Sequence, residues 1–179
     1  MTNNNQLIHE KFKDIIQRDW VCIDMTAGNG HDTLFLAQHA QQVYTIDIQQ
    51  EAIDNTKERT KDFDNIIYLV DDHQNINRYV EPYVNLIIYN LGYLPGGNKK
   101  IKTNKDSTLI SLSKAHQLLK INSYLIITCY PGHPGGKEET EAVTQWVNHQ
   151  KEKEQYQVEI LDYPTKNSPI TFICKRIAM

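Results

Sequence analysis

Short runs rich in β-branched and aromatic residues alternate along the chain with longer stretches of helical period. That alternation predicts an α/β domain built on a mostly parallel sheet. Strands are expected at Trp20–Met25, Gln42–Ile48, Ile66–Asp71, Val84–Asn90, Ser123–Tyr130, Val158–Tyr163 and Ile170–Lys175. The runs VCIDM, NLIIYN and YLIITCY are apolar on both alternating faces, as strands covered by helices on both sides must be. Helices are predicted at Asp32–Ala40, Gln50–Asp62, Asp106–Leu119 and Lys137–His149, after an opening helix around Leu7–Ile16. Leu109, Leu112, Ala115, Leu118 and Leu119 recur at spacings of three and four, as do Ala142, Val143, Trp146 and Val147, so each helix has one apolar stripe. The last two strands are joined through Pro164 to Pro169 with no room for a helix, and are expected to pair antiparallel. Six βα-type units with an antiparallel finish are the expected shape, in one domain covering residues 1–179.

Composition narrows the class. The chain of 179 residues is long enough to bury one sizeable core without disulfides or metals. Apolar residues make up 40% and charged ones 23%, which excludes wholesale disorder. No apolar run approaches the roughly 20 residues that span a bilayer, and MTNNNQLIHEKF has no signal-peptide core. Cys22, Cys129 and Cys174 are odd in number and lack C-x-x-C spacing. A disulfide scaffold or zinc site is therefore not expected, and a reducing cytoplasm is the expected compartment. No H-x-x-x-H or Cys/His cluster points to a metal.

The most informative stretch is Asp24-Met25-Thr26-Ala27-Gly28-Asn29-Gly30-His31-Asp32-Thr33, which leaves an apolar strand and opens a helix. Glycines there let the backbone turn sharply beside a ligand, and the free amides of the next helix can meet an anionic group. Asp47 follows 17 residues after Gly30, at the end of VYTID, where a carboxylate can accept from both ribose hydroxyls. Asp71-Asp72-His73 ends the next strand, within reach of an adenine edge. The dinucleotide fingerprint G-x-G-x-x-G is incomplete, because Thr33 stands where the third glycine belongs. A cationic nucleoside without a pyrophosphate suits that set better, and S-adenosylmethionine is such a ligand.

The fourth predicted strand runs into Asn90-Leu91-Gly92-Tyr93-Leu94-Pro95-Gly96-Gly97. A side-chain amide, an aromatic and a rigid turn at a buried strand end make a candidate substrate-orienting site, which resembles, without the two prolines, the Asn/Asp–proline–aromatic arrangement of enzymes that methylate amines. The segments DMTAGNGHDTLFLA, YTIDI, YNLGYLPGGNK and TCYPGHPGGKEE together resemble the YtqB/MnmM family of Rossmann-like methyltransferases, also described as rRNA methylases. The resemblance covers nearly the whole chain. It implies a class I methyltransferase fold, a seven-stranded, mostly parallel sheet with helices on both faces and an antiparallel last strand. It further implies S-adenosylmethionine-dependent methylation of 5-aminomethyl-2-thiouridine at the tRNA wobble position, giving 5-methylaminomethyl-2-thiouridine, and a homodimer. Asp24, Gly28, Asn29, Gly30, Asp32, Thr33, Asp47, Asp72 and His73 match the cofactor motifs, with Thr26 inside the first of them. Asn90, Gly92, Tyr93 and Pro95 match the motif beside the transferred methyl, Asn90 also touching the cofactor. Met25 is assigned packing only.

The loop Tyr130-Pro131-Gly132-His133-Pro134-Gly135-Gly136 lies on the same rim. His133 is assigned to substrate contact first and proton acceptance second, because an in-line methyl transfer needs chiefly an oriented amine lone pair. His9, His39, His116 and His149 fall on predicted helices without ligand spacing and read as surface or packing residues.

The net charge of −3 conceals a division. Residues 45–72 carry eight acidic against three basic side chains, whereas residues 96–130 carry six lysines against Asp106 alone. Lys99, Lys100 and Lys102, beside the Asn90–Pro95 motif, are expected to meet RNA phosphates; the alternative is a solvated loop. Tyr89, Tyr93 and Tyr130 are candidates to stack on an anticodon base. The expected enzyme is a cytoplasmic tRNA methyltransferase acting at the anticodon, with Asn90, Tyr93 and His133 as its catalytic set. Three competing readings are the same chemistry on rRNA or on a small-molecule or protein amine, a dinucleotide-dependent oxidoreductase, and a non-catalytic RNA-binding module.

Overall fold

The computed structural model describes residues 4–162, 165 and 167–179. Its elements run α1 (Asn4–Phe12), β1 (Val21–Asp24), α2 (His31–His39), β2 (Gln42–Asp47), α3 (Gln50–Arg59), β3 (Ile66–Val70), a 3-10 helix (His73–Arg78), β4 (Val84–Asn90), α4 (Lys105–Leu118), β5 (Leu119–Cys129), α5 (Gly136–Glu152), β6 (Tyr156–Asp162) and β7 (Ile170–Arg176). Each of the first six strands is preceded by a helix, the fourth crossing being the 3-10 turn. Every predicted helix and strand exists, with ends moved by a few residues. The end of the sixth predicted strand at Tyr163, and the turn residue Pro164, lie outside the described residues.

The seven strands form one sheet in the order β3-β2-β1-β4-β5-β7-β6. The β3-β2-β1-β4-β5 part is parallel, and β7 enters antiparallel between β5 and β6. The apolar runs VCID and VNLIIYN sit at the centre, where helices cover both faces. Two packed clusters result. One joins Ile23, Ile87, Leu125 and Phe172 to α4 and α5 through Leu112, Ala115, Val143 and Val147. The other joins Cys22, Leu86, Ile88 and Ile126 to α1 and α2 through Phe12, Phe35 and Leu36.

Three expectations are corrected. Leu119 belongs to β5 and not to the α4 stripe, because the chain turns from helix to strand without a loop. Tyr89 is fully buried, its hydroxyl bonded to Ser111, so it has no face for a base. The crossing after β3 is a 3-10 helix that sequence periodicity does not announce; Asp72 caps it by accepting from the Gln74 amide at 3.0 Å. At the rim, the Asn4 amide nitrogen donates to Thr171 Oγ1 on β7 at 2.8 Å and to Thr128 Oγ1 on β5 at 3.4 Å. The first helix is thus fastened to the last strand. Among the described residues no helix is long and apolar enough to cross a membrane.

Candidate active site

β1 and β4 are sequence-distant neighbours, so the crossover helices leave a crevice beyond their C-terminal ends, where ligands of such sheets bind. A cavity of about 760 Å³ opens there. The glycine turn forms one wall. Gly28 and Gly30 both take left-handed backbone, with φ of 53° and 80°. The turn is tied down on three sides: Ala27 N donates to Ile46 O at 3.0 Å, Gly28 N to Asp47 Oδ2 at 3.1 Å, and Asn90 N to Thr26 Oγ1 at 2.7 Å. Of the residues expected to hold a cofactor, Thr26, Gly28, Asn29, Asp32, Asp47, Asp72, His73 and Asn90 line the cavity.

Asp24, Gly30 and Thr33 do not line the cavity: Gly30 is buried within the turn, and Asp24 and Thr33 stand beneath it. Asp24 is fully buried and accepts from Thr26 N at 3.1 Å and Thr33 Oγ1 at 2.6 Å. Burial, with the nearby Asp32 charge next, pushes its pKa up to about 7. Gly30 packs so tightly on α3 that a Cβ would lie 2.8 Å from Thr56 Cα. Asn29 reaches across to the opposite loop, donating to the Pro95 carbonyl at 3.2 Å.

At the turn end the cavity wall carries Asp32, Asp47 and Asp72 with no lysine or arginine. Burial raises the Asp47 pKa, opposed by its backbone amide donors at Gln49 and Gly28. His73, on the same wall, keeps Nδ1 buried and, among the described residues, without a hydrogen-bond partner; burial lowers its pKa. An acidic wall with an unused ring nitrogen fits a cationic nucleoside.

The opposite wall is built from two loops. Gly92, at φ 145°, donates its N–H to Thr103 Oγ1 at 2.8 Å, and Thr103 N returns a bond to Gly92 O at 2.8 Å. Thr103 Oγ1 then donates to Glu139 Oε2 at 2.9 Å, and Thr108 Oγ1 donates to Glu139 Oε1 at 2.7 Å. Glu139 is buried on α5, with its pKa raised by that burial. Sequence reading assigned it nothing, although it lies four residues before Val143 on the buried stripe of α5.

Gly92, Tyr93, Pro95, Lys100, Lys102, Tyr130 and His133 all line this side. Tyr93 packs edge-on against His133 with ring centroids 5.8 Å apart. Lys99 is outside the cavity, its ammonium 5.6 Å from the Tyr93 ring centroid. Lys102 spends a donor on the Pro134 carbonyl, which joins the two loops. Among the described residues His133 Nε2 is buried without a partner. Burial pushes the Tyr130 hydroxyl up to about 12, so it stays a donor at neutral pH.

Asn90 stands where the two walls meet. Its amide nitrogen donates to Asp32 Oδ2, while Tyr130 OH lies 3.5 Å from its Oδ1, too far to occupy it fully. Asp32 Oδ1 accepts from His9 Nε2 at 2.6 Å. The expectation that His9 is a surface or packing residue is therefore incomplete: α1 carries it to the edge of the site. No local pattern marks that contact, since its partner lies 23 positions away. Among the described residues no group of three or more His, Cys, Asp or Glu is arranged to hold a metal.

This sheet order, with its glycine turn after β1 and acidic strand end after β2, is the class I methyltransferase fold. The chain belongs to the family described as "Putative rRNA methylase", which it matches over residues 43–176. It is 35% identical over 156 residues to the chloroplastic tRNA (mnm(5)s(2)U34)-methyltransferase of Arabidopsis thaliana, covering 77% of this chain. The chain spans 56% of the length of that curated relative. A crystal structure from Clostridium thermocellum with the same family description has a TM-score of 0.92 at 31% identity, covering 99% of each chain. A methyltransferase-described structure from Streptococcus mutans, in complex with S-adenosylhomocysteine (SAH), has a TM-score of 0.87 at 29% identity, also over 99% of each chain.

Proposed function

We propose that this protein is an S-adenosylmethionine-dependent tRNA methyltransferase that converts 5-aminomethyl-2-thiouridine at the wobble position to 5-methylaminomethyl-2-thiouridine. The observation that carries the reading is Asn90: its nitrogen is committed to Asp32, which leaves Oδ1 to accept from an amine in the cavity. The substrate class is taken from the Arabidopsis relative, and the lysines on the opposite wall support a polyanion there.

When bound, S-adenosylmethionine supplies a methyl group on a positively charged sulfur, whose bond to that methyl breaks in the transfer to leave the neutral thioether S-adenosylhomocysteine. Asp47 and the Gly28 turn would hold its ribose and amino-acid tail, and Asp72 with His73 would meet the adenine. Asn90 Oδ1 and Tyr93 orient the acceptor amine so that its lone pair faces the methyl group in line, and orientation of that kind removes much of the barrier. The nitrogen gains the methyl and gives up one proton, to solvent or to His133. Lys99, Lys100 and the remaining donors of Lys102 hold the RNA backbone by salt-sensitive contacts.

The test is methylation in vitro of tRNA carrying 5-aminomethyl-2-thiouridine, followed by nucleoside mass spectrometry. Conversion by wild type, loss of turnover in Asn90→Ala, and weaker tRNA binding after charge reversal at Lys99, Lys100 and Lys102 are expected. Absence of conversion, with methyl transfer to rRNA or a small amine instead, would reject the substrate.

A further inference from the structure

An amide has two ends of nearly equal shape, and only one can accept a hydrogen bond. If Asn90 is to receive an amine, Oδ1 must face the cavity; rotated by half a turn, the group would present donors to a donor. Asp32 sets the rotation, because a carboxylate only accepts and its Oδ2 takes the Asn90 N–H. What sets Asp32 is the next link. Among the described residues its side chain is bonded by two donors, Asn90 on Oδ2 and His9 Nε2 on Oδ1.

The His9 ring has little freedom. It lies flat on Phe35, with centroids 4.1 Å apart and planes 7° apart, and Phe35 is buried in the α1–α2 cluster. The other charged or titratable groups around Asp32 are Asp24 from β1, His31 from α2 and Tyr130 from the loop after β5, with Arg59 of α3 beyond His31. None of them is hydrogen-bonded to the Asp32 carboxylate, which leaves Asn90 and His9 as its side-chain donors among the described residues.

We propose that His9 is a positioning residue of the transfer site, holding Asp32 so that Asp32 holds the Asn90 amide with its carbonyl oxygen toward the acceptor amine. The use of that oxygen rests on the methyl-transfer reading; the anchoring of the amide can be measured without any substrate.

Three variants separate the contributions. His9→Phe keeps a ring on Phe35 and removes the donor, His9→Ala removes both, and His9→Gln keeps a neutral N–H near the Nε2 position. In wild type the Asn90 side-chain NH2 pair is expected to give shifted, slowly exchanging proton resonances. These collapse toward exposed-amide values in His9→Phe and His9→Ala and persist in His9→Gln. In assays kcat falls about ten- to a hundredfold in the first two, the scale of a small misplacement of a reacting group. Over the same variants KM for S-adenosylmethionine stays within about threefold, and His9→Gln restores most of the rate. Unchanged Asn90 resonances in His9→Phe, or a His9→Gln rate as low as that of His9→Phe, would overturn the proposal. If wild type methylates no aminomethyl-uridine while the resonances respond as expected, the substrate reading fails and the positioning role stands.

Discussion

Gly30→Ala tests whether the glycine turn is dictated by space as well as by backbone angle. Gly30 has φ 80°, and a Cβ there would sit 2.8 Å from Thr56 Cα, a backbone atom that no rotamer change can move. Gly96 has nearly the same φ, 84°, and a Cβ there meets nothing within 4 Å. Placing alanine in left-handed backbone costs about 1–2 kcal/mol at either position. Overpacking adds about 1–3 kcal/mol at Gly30 alone. The gain from a stiffer unfolded chain, about 0.4–1 kcal/mol, is common to both and cancels in the comparison.

Gly30→Ala should therefore be less stable than Gly96→Ala by about 1–3 kcal/mol, read from urea unfolding midpoints at constant m. For a chain of this size that is a Tm difference of roughly 2–12 °C. Because the turn carries the Gly28 amide, S-adenosylmethionine affinity by calorimetry should fall in Gly30→Ala and hold in Gly96→Ala. Thr56→Ala should not rescue Gly30→Ala, since the clashing atom remains. Equal stabilities for the two alanine variants, or rescue by Thr56→Ala, would refute the reasoning.

Two further outcomes are expected. Asp24 has its folded pKa raised to about 7, above the usual carboxylate value, so the folded state holds the extra proton and stability falls as pH rises from about 4 to about 7. Asp24→Asn removes that slope: its stability relative to wild type should improve between pH 5 and pH 8, and a constant difference in unfolding midpoints would contradict the assignment. Glu139→Ala strands the Thr103 and Thr108 hydroxyls in a buried site, at a cost of about 1–3 kcal/mol. It should also raise KM for tRNA through the displaced Gly92 loop, whereas Glu139→Gln keeps an acceptor and stays near wild type; a Glu139→Ala enzyme with unaltered tRNA KM would separate that loop from binding.

The parts of the site legible in the sequence are those written in local pattern. The strands VCID and VNLIIYN declare themselves by being apolar on both faces, with Gly28 and Gly30 just beyond the first and Asn90 ending the second, while Asp47 ends β2. His9 and Asp32 meet through the packing of α1 on α2, and neither segment encodes the other. Glu139 is hidden differently: its spacing puts it on the apolar stripe of α5, where a carboxylate is not expected, and two threonine hydroxyls make its burial tolerable. Tyr89 misled because a tyrosine one residue before a rim asparagine looks accessible, while strand alternation turns it inward onto Ser111.

The fastening of Asn4 to Thr128 and Thr171 spans up to 167 positions of sequence, so it can be completed only after β7 is made. During synthesis β3-β2-β1-β4-β5 can assemble while the C-terminal residues are still unmade, leaving β5 as a bare apolar edge. β6 arrives next and finds no neighbour, because its partner in the sheet is β7. When β7 enters between them, it covers the β5 edge, gives β6 its place and presents Thr171 to Asn4. Only then does Asn4 gain its Thr171 bond; α1 is already seated on α2 through Phe12, and His9 on Phe35. The last strand thus closes the sheet and ties the two ends of the described chain together beside the cavity.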